Sequence, residues 1–298
     1  MKLVLNEEEA LLKRVALKFF IEKMPVKKLR ELRDTNDIVG YDPICWREMA
    51  DLGWAGILIS ELYAGTPFGY RGIGQVLEAS GRTLAATPLI STALIAAPLI
   101  MAAGTDEQKA ALLPAIAAGA RIVALAHEET ARHAPRHIAT RAEPHPGGYR
   151  LSGTKMFVLD GHVATELIVV ARTAGGVDEP QGLTLFIINA DTPGVQRQRA
   201  HLVDTRNAAT VTLDKVFVSA GAILGELDHG RKFLDPVLDG ARSGLAAEML
   251  GSALEAFERT RAYLKLRTQF GVPIGSFQAL KHRAALMYCE LELTQSAV

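Results

Sequence analysis

Three short β-rich runs set the fold class: Lys155-Met-Phe-Val-Leu159, Glu166-Leu-Ile-Val-Val-Ala-Arg172 and Leu183-Thr-Leu-Phe-Ile-Ile188. Aliphatic, β-branched and aromatic residues dominate them, and turn residues such as Asp160-Gly161 separate them. Similar runs lie at residues 122–126, 149–153, 195–199 and 210–218. Strands at this spacing, without helices between them, favour an antiparallel sandwich or barrel over a doubly wound parallel sheet.

The segments on both sides of this β-rich region have helical periodicity. Asn6, with Glu9 three residues later, is typical of a capping box before a helix over 7–24, and Thr105 is the expected N-cap of a helix over 106–118. Further helices are predicted over 41–52, 72–82, 89–103, 233–266 and from residue 276 to the end. The fold class is therefore α+β, with a helical domain (1–120), an antiparallel β-domain (121–229) and a second helical domain (230–298).

Composition and charge exclude several classes of protein. The 33 Lys plus Arg balance the 33 Asp plus Glu, which gives no general attraction to nucleic acid or to an anionic membrane. Cys45 and Cys289 cannot form a disulfide framework for this chain, and the N-terminus turns acidic before any apolar signal core. Residues 84–104 carry no charge, but Pro88 and Pro98 interrupt them, which favours buried helices over a membrane span. A cytoplasmic protein is predicted.

Two local patterns are similar to catalytic motifs without matching them. Gly69-Tyr-Arg-Gly-Ile-Gly74 has closely spaced glycines, but no strand precedes them and the spacing is that of no phosphate loop. His127 and His133 are six residues apart, whereas two ligands on one helical face need a spacing of four. We therefore predict no metal site, and the absence of a Gly-x-Ser-x-Gly elbow gives a hydrolase no support.

The most distinctive stretch runs from Arg267 to His282 and reads RTQFGVPIGSFQALKH. It closely resembles the acyl-CoA dehydrogenase family. The resemblance covers nearly the whole chain in family order, through WREMADLGWAG (46–56), GTDEQKAALLPAIAAG (104–119), YRLSGTKMFVLDG (149–161), DGAR (239–242) and GSALEAF (251–257).

This resemblance implies a helical N-terminal domain, a central β-domain and a C-terminal helical bundle that is incomplete in this chain. It implies FAD, held between domains and between subunits, and oxidation of the Cα–Cβ bond of an acyl-CoA thioester to a trans-2-enoyl-CoA. In the family a carboxylate removes the α-proton while hydride passes from Cβ to flavin N5. A homo-oligomer, dimer or tetramer, that passes electrons to an electron-transfer flavoprotein is expected.

The resemblance assigns the cofactor to two parts of the chain. Arg267, Gln269 and Phe270 match the segment that reaches the FAD of a neighbouring subunit, and Gln278 is a candidate for adenosine-side contacts. A guanidinium suits a pyrophosphate because it donates two parallel hydrogen bonds. The alternatives are an ordinary surface pair for Arg267 and a tight helix connection for Phe270.

The residues expected along the flavin ring lie in the β-domain, on two strands of the family pattern. They are Ala126, His127 and Glu128 on the first strand and Phe157 and Leu159 on the second. Phe157 keeps the aromatic surface of the family, but Leu159 stands where the family has a hydroxyl that bonds the ring. The expected acyl-CoA-binding residues are His133 and Arg242; an ion pair with Asp239 is the alternative role of Arg242.

The catalytic base is the main departure from the family. Ala241 occupies one family position of the base, and the other position lies beyond Val298. Glu248 is an available carboxylate whose expected role is on a helix surface or interface, so no base is named. Two functions follow: an FAD-dependent acyl-CoA dehydrogenase, or a non-catalytic partner subunit of a heteromeric one.

Overall fold

The computed structural model describes residues 4–298, which form two compact units. The first, called here the sheet unit, comprises residues 30–69 and 86–241. The second, called the helical unit, comprises the chain up to Leu29 with residues 70–85 and 242–298. Each unit is described by itself.

The helices flank the β-rich region in sequence, as predicted. They are α1 (Glu7–Lys23), α2 (Val26–Asp34), α3 (Pro43–Asp51), α4 (Gly69–Thr83), a π-helical segment (Leu89–Ala96), α5 (Ala97–Ala103), α6 (Asp106–Ala117), α7 (Arg231–Leu266) and α8 (Gln278–Ala297). The predicted capping box at α1 is confirmed, because Asn6 and Glu9 bond reciprocally. The predicted N-cap Thr105 is confirmed at α6, where it also forms a capping box with Gln108. Helix α2 was not predicted, because six of its nine residues are charged and none is buried.

The strands of the sheet unit form one eight-stranded sheet in the order β6-β7-β3-β2-β4-β5-β8, with β1 paired to β4. They are β1 (Val123–Ala126), β2 (Arg141–His145), β3 (Gly148–Leu159), β4 (Glu166–Arg172), β5 (Leu183–Asn189), β6 (Val195–His201), β7 (Asn207–Ser219) and β8 (Ile223–Leu224). The sheet is mostly antiparallel, which confirms the fold class. The parallel pairings both involve β4, which pairs with β1 along four residues and with β2 at Arg141 and Arg172.

Strand β3 joins two of the predicted runs into one strand of 12 residues. Its register against β7 shifts between Leu151 and Gly153 and again between Lys155 and Val158. Such bulges let a long strand follow the twist of the sheet and redirect single side chains. Strand β2 was not predicted, since Pro144 and two charged residues hide its pattern.

The core of the sheet unit explains the uncharged segment near residue 95. Leu94, Leu99 and Ile100 are fully buried. Leu99 and Ile100 pack in one cluster with sheet residues such as Ile168 and Val170. These helices therefore line a protein core, as predicted. Among residues 4–298, no helix combines the length and the apolar composition that crossing a membrane requires.

The helical unit packs α4 against α7 through two glycines. A Cβ on Gly81 would collide with the carbonyl oxygen of Glu248, and one on Gly251 would collide with that of Glu78. The backbones approach this closely only because both positions lack a side chain. Helix α8 is largely exposed, and Leu291 is its one buried residue.

Candidate functional site

The segment from Arg267 forms a β-hairpin in the helical unit. Its strands are β9 (Thr268–Gln269) and β10 (Val272–Pro273), and Gln269 pairs with Val272. The two loop residues, Phe270 and Gly271, have φ angles of 52° and 78°. Positive φ at both loop positions is typical of a type I′ turn, which matches the twist of two paired strands. The sequence predicted a break here but not a hairpin.

The tip of this hairpin presents an aromatic side chain to solvent in a strained conformation. Phe270 is 93% exposed, and its ring contacts that of Phe277 edge-on, with centroids 6.1 Å apart. A bulky residue with positive φ is uncommon, and such strain gathers at functional sites. Phe270 therefore offers an exposed aromatic face at the tip of the hairpin.

The polar residues of the hairpin are also exposed. The main-chain oxygen of Arg267 accepts a hydrogen bond from Ile274 N at 2.8 Å, which closes the turn. Its guanidinium, in contrast, makes no hydrogen bond or ion pair within residues 4–298. Gln269 donates only to the neighbouring Thr268 oxygen, and Gln278 lies 3.5 Å from His282. The structure thus brings the four predicted residues of this segment into one hairpin and helix start, with donors available for a ligand.

In the sheet unit, the chain leaves β1 at Ala126 and turns into a loop that the predicted residues organise. His127 Nε2 lies 2.9 Å from Pro135 O, and burial, followed by the nearby ammonium of Lys155, lowers the pKa of His127. Glu128 accepts a hydrogen bond from Ala134 N at 3.1 Å and pairs with His133 Nδ1 at 2.7 Å. The imidazole of His133 stays exposed and held by Glu128.

Behind this loop lies a buried ion pair that sequence reasoning missed. The Lys155 side chain is 0% exposed and its Nζ lies 2.6 Å from Glu129 Oε1. Burial lowers the pKa of Lys155 to about 8, against the raising effect of Glu129. Burial alone would raise the pKa of Glu129, but the ammonium and its other hydrogen bonds hold it below its ordinary value. Both groups are therefore charged at neutral pH.

Phe157 and Leu159 lie at the C-terminal end of β3. Phe157 lies at the second bulge with a φ of 52° and is 41% exposed. This exposed aromatic face suits contact with a flat ring. Leu159 is partly buried and offers no hydrogen bond. The residues therefore fit a flavin in two respects, the aromatic face of Phe157 and the unpaired Arg267, while the ring-bonding hydroxyl is missing.

The other predicted residues lie on α7 in or next to the helical unit. Arg242 is exposed, whereas Glu248 is buried and packed beside Gly81 of α4. Ala241 is buried and carries no ionisable group. Within the part of the chain that the structure describes, no group of three or more His, Cys, Asp or Glu side chains is arranged to hold a metal ion.

Comparisons with known proteins agree with this architecture. Residues 6–120, 124–216 and 228–298 match the sequence profiles of the N-terminal, middle and C-terminal domains of acyl-CoA dehydrogenase. A mitochondrial 2-methylacyl-CoA dehydrogenase of Solanum tuberosum is 33% identical over 261 residues, which are 85% of this chain and 63% of the relative. The chain thus spans less than two thirds of that relative's length.

Solved structures are similar over almost the whole chain. The Tcur3481-Tcur3483 steroid ACAD variant is 35% identical, with a TM-score of 0.83, over 96% of this chain and 74% of that one. The ChsE4-ChsE5 complex of Mycobacterium tuberculosis is 26% identical, with a TM-score of 0.87, over 100% of this chain and 78% of that one. Two solved structures with the same fold contain a flavin: PigA holds FAD, and a glutaryl-CoA dehydrogenase of Mycobacterium smegmatis holds FADH2. From its three matched domains and these relatives, the chain belongs to the acyl-CoA dehydrogenase family.

Proposed function

We propose that this chain acts as an FAD-dependent acyl-CoA dehydrogenase, which oxidises the Cα–Cβ bond of an acyl-CoA thioester to a trans-2-enoyl-CoA. Family membership supports the reaction class. The observation that carries the proposal is the hairpin, which presents a strained, exposed Phe270 beside the unpaired guanidinium of Arg267. Exposed donors without partners in their own chain suit a phosphate-bearing cofactor.

The proposed function assigns the cofactor contacts of the hairpin to a neighbouring subunit's FAD. Arg267, Gln269, Phe270 and Gln278 hold the pyrophosphate and adenosine side of an FAD that belongs to a neighbouring subunit. The flavin ring supplies the hydride acceptor when FAD is bound. Residues 126–128 supply main-chain groups along that ring.

Phe157, Leu159 and the loop that follows β1 shape the rest of this site. Phe157 covers a face of the ring, and Leu159 replaces a polar contact with an apolar one that excludes water. His133, held by Glu128, and Arg242 contact the acyl-CoA. The catalytic base is left open, because Ala241, at one of the two family positions of the base, has no ionisable group.

The proposed assembly is an oligomer that passes electrons to an electron-transfer flavoprotein. A dimer or tetramer of this chain, or a heteromer with a related subunit, completes the cofactor site of Arg267. The exposed apolar side chains of α7 and α8 support association, because exposed apolar surface favours burial against a partner. They are Leu245, Met249, Tyr263, Leu266, Leu286, Met287, Tyr288 and Leu293.

A second candidate function is a non-catalytic partner subunit. Leu159 lacks the ring-bonding hydroxyl and Ala241 lacks a carboxylate, whereas Arg267 would still serve the cofactor of a partner chain. The similarity to the ChsE4-ChsE5 complex, which pairs two chains, favours this alternative at the level of the fold and family.

The visible absorption spectrum of the purified protein separates the two functions. Bound oxidised flavin gives bands at about 370 and 450 nm, which an acyl-CoA substrate bleaches if the chain is an enzyme. A colourless protein that acquires flavin only when mixed with a competent relative supports the partner subunit. A protein that takes up flavin in neither case contradicts both.

The role of Arg267 has its own test. Replacing Arg267→Ala removes charge-assisted hydrogen bonds worth about 1.5–3 kcal/mol, so flavin affinity should fall roughly ten- to a hundredfold. The melting temperature should stay unchanged, because the guanidinium has no partner within residues 4–298. Arg267→Lys should recover part of the affinity, and Lys265→Ala, an exposed cation two residues away, serves as the control. A lower melting temperature with full flavin content would make Arg267 a structural residue instead.

A further inference from the structure

The buried ion pair of Lys155 and Glu129 links three separate parts of the sheet unit. Lys155 Nζ, on β3, donates to Glu129 Oε1 at 2.6 Å and to the main-chain oxygen of His127 at 3.1 Å. The Glu129 carboxylate also accepts hydrogen bonds from Ala139 N at 2.6 Å and from Thr140 N at 3.1 Å. The pair therefore ties the segment after β1, the start of β2 and the middle of β3 to one point.

Stability alone gives a weak reason for charges at this point. Removing an ammonium and a carboxylate from water costs several kcal/mol per ion, and apolar replacements of buried pairs are often neutral or stabilising. An apolar pair cannot orient a nearby carbonyl group, because that requires a hydrogen-bond donor. The carbonyl that Lys155 fixes is that of His127.

Fixing that carbonyl also fixes the amide on the other side of the same peptide bond. A trans peptide is planar, so the C=O of His127 and the N–H of Glu128 point in opposite directions. Strand β3 fixes the next peptide in the same way, because Met156 N donates to Glu128 O at 2.7 Å. Two consecutive peptides of residues 127–129 thus take their orientation from Lys155 and its neighbour in β3.

We propose that Lys155, balanced by Glu129, is a positioning residue that sets the orientation of the His127–Glu128 peptide for binding of the flavin ring; this inference rests on the proposed function. Lys155 does not touch the ring, since its side chain is fully buried and its donors are engaged with Glu129 and His127. The effect of Lys155 on the flavin passes through main-chain amides. Because the Leu159 side chain offers the ring no hydrogen bond, flavin binding depends more strongly on these amides.

Two double variants isolate the hydrogen bond from the charge. Lys155→Met with Glu129→Gln removes both charges and the donor to His127 O, at nearly unchanged volume. Lys155→Gln with Glu129→Gln also removes both charges but keeps a donor on the side chain of residue 155. The matched control is Lys232→Met with Glu226→Gln, which removes an exposed pair at 2.8 Å in the same unit.

The experiment measures three quantities on each full-length variant and on any mixed complex that holds flavin. They are the melting temperature, the affinity and absorption spectrum of bound flavin, and hydrogen exchange of residues 126–140 in the flavin-free protein. We expect the methionine variant to melt no earlier than wild type, to lose at least tenfold in flavin affinity with an altered spectrum, and to exchange faster in this segment. The glutamine variant should recover most of the affinity, and the control should match wild type.

Each other outcome overturns the proposal in a recognisable way. If wild type binds flavin and the methionine variant binds it within twofold, the positioning role is wrong while the proposed function stands. If exchange of residues 126–140 is unchanged, Lys155 does not hold the segment. A methionine variant that does not fold makes the pair a folding element only. If wild type binds no flavin alone or in a mixed complex, the proposed function and this inference both fail.

Discussion

Two arginines, one in each unit of this molecule, have opposite surroundings. In the sheet unit, Arg172 is 0% exposed and its guanidinium donates to five main-chain oxygens at 2.8–3.3 Å. In the helical unit, the guanidinium of Arg267 is exposed and has no partner within residues 4–298. The first arginine is committed to its own chain, whereas the second is available to another molecule.

This difference separates residues that build a site from residues that bind. Arg172 gathers the carbonyls of Ile138 and of the loop between β4 and β5, and so fixes the end of the segment that begins at His127. Among residues 4–298, its hydrogen-bond acceptors are main-chain oxygens, and the carboxylates of Glu179 and Asp178 act on its charge without accepting a hydrogen bond from it. Substitution of Arg172 should therefore change stability, and substitution of Arg267 should change binding.

Arg172→Ala should have the largest effect on stability. It leaves buried carbonyl oxygens without donors and opens a cavity, so the free energy of unfolding should fall by about 3–5 kcal/mol. Arg172→Lys should recover little, because three donors on one nitrogen cannot reach five oxygens around a planar guanidinium. Urea denaturation followed by circular dichroism measures both. A loss below about 1 kcal/mol for the alanine variant would show that the loop rearranges around the gap.

The same contrast explains what the sequence could predict. The hairpin segment is local, so Arg267, Gln269 and Phe270 could be predicted as site residues from one continuous motif, and the capping box at Asn6 and the N-cap at Thr105 were predicted for the same reason. The β-rich runs also follow from local composition. Their mostly antiparallel arrangement was predicted because closely spaced strands seldom allow the crossover that a parallel pair needs.

The missed features depend on contacts between distant residues. Lys155 lies 26 residues from Glu129, and Arg172 lies 34 residues from Ile138, so neither pairing leaves a local pattern. A lysine inside a β-rich run is typical of a solvent-facing position. Strand β1 pairs in parallel with β4 because the long excursion through β2 and β3 returns the chain in the same direction. Periodicity carries no information on such a return.

Asp160 gives a second, smaller test within the sheet unit. Burial raises the pKa of Asp160 to about 6, although Ser91, which donates to it at 2.6 Å, opposes the shift. An unfolded chain releases this proton near pH 4, so between pH 4 and 6 the folded state loses stability as pH rises. The stabilising contribution is complete below pH 4 and absent above pH 6, a difference of about 3 kcal/mol at most.

Asp160→Asn removes this cost while keeping a side chain that tolerates the positive φ of this position. At pH 7 the variant should be more stable than wild type by about 2–3 kcal/mol, and the difference should disappear by pH 4. Unfolding measured across this range checks the trend. Asp191→Asn, at an exposed carboxylate, is the control and should show no such dependence. An equal gain at every pH would exclude titration of Asp160 as the cause.

The smallest effect on stability is expected at the tip of the hairpin. Phe270→Gly relieves a left-handed conformation that costs a bulky residue about 1–2 kcal/mol. Glycine also destabilises the folded state by about 0.5–1 kcal/mol, because it raises the entropy of the unfolded chain. Loss of the edge contact with Phe277 offsets the remainder, so the free energy of unfolding should change by less than about 1 kcal/mol.

Flavin affinity should nevertheless fall, because the exposed ring at residue 270 is gone. Val203→Ala, which trims an equally exposed apolar side chain in the sheet unit, should leave flavin affinity unchanged. A Phe270→Gly protein that melts much earlier and keeps its flavin would place the tip among the structural elements and remove the contrast between the two regions.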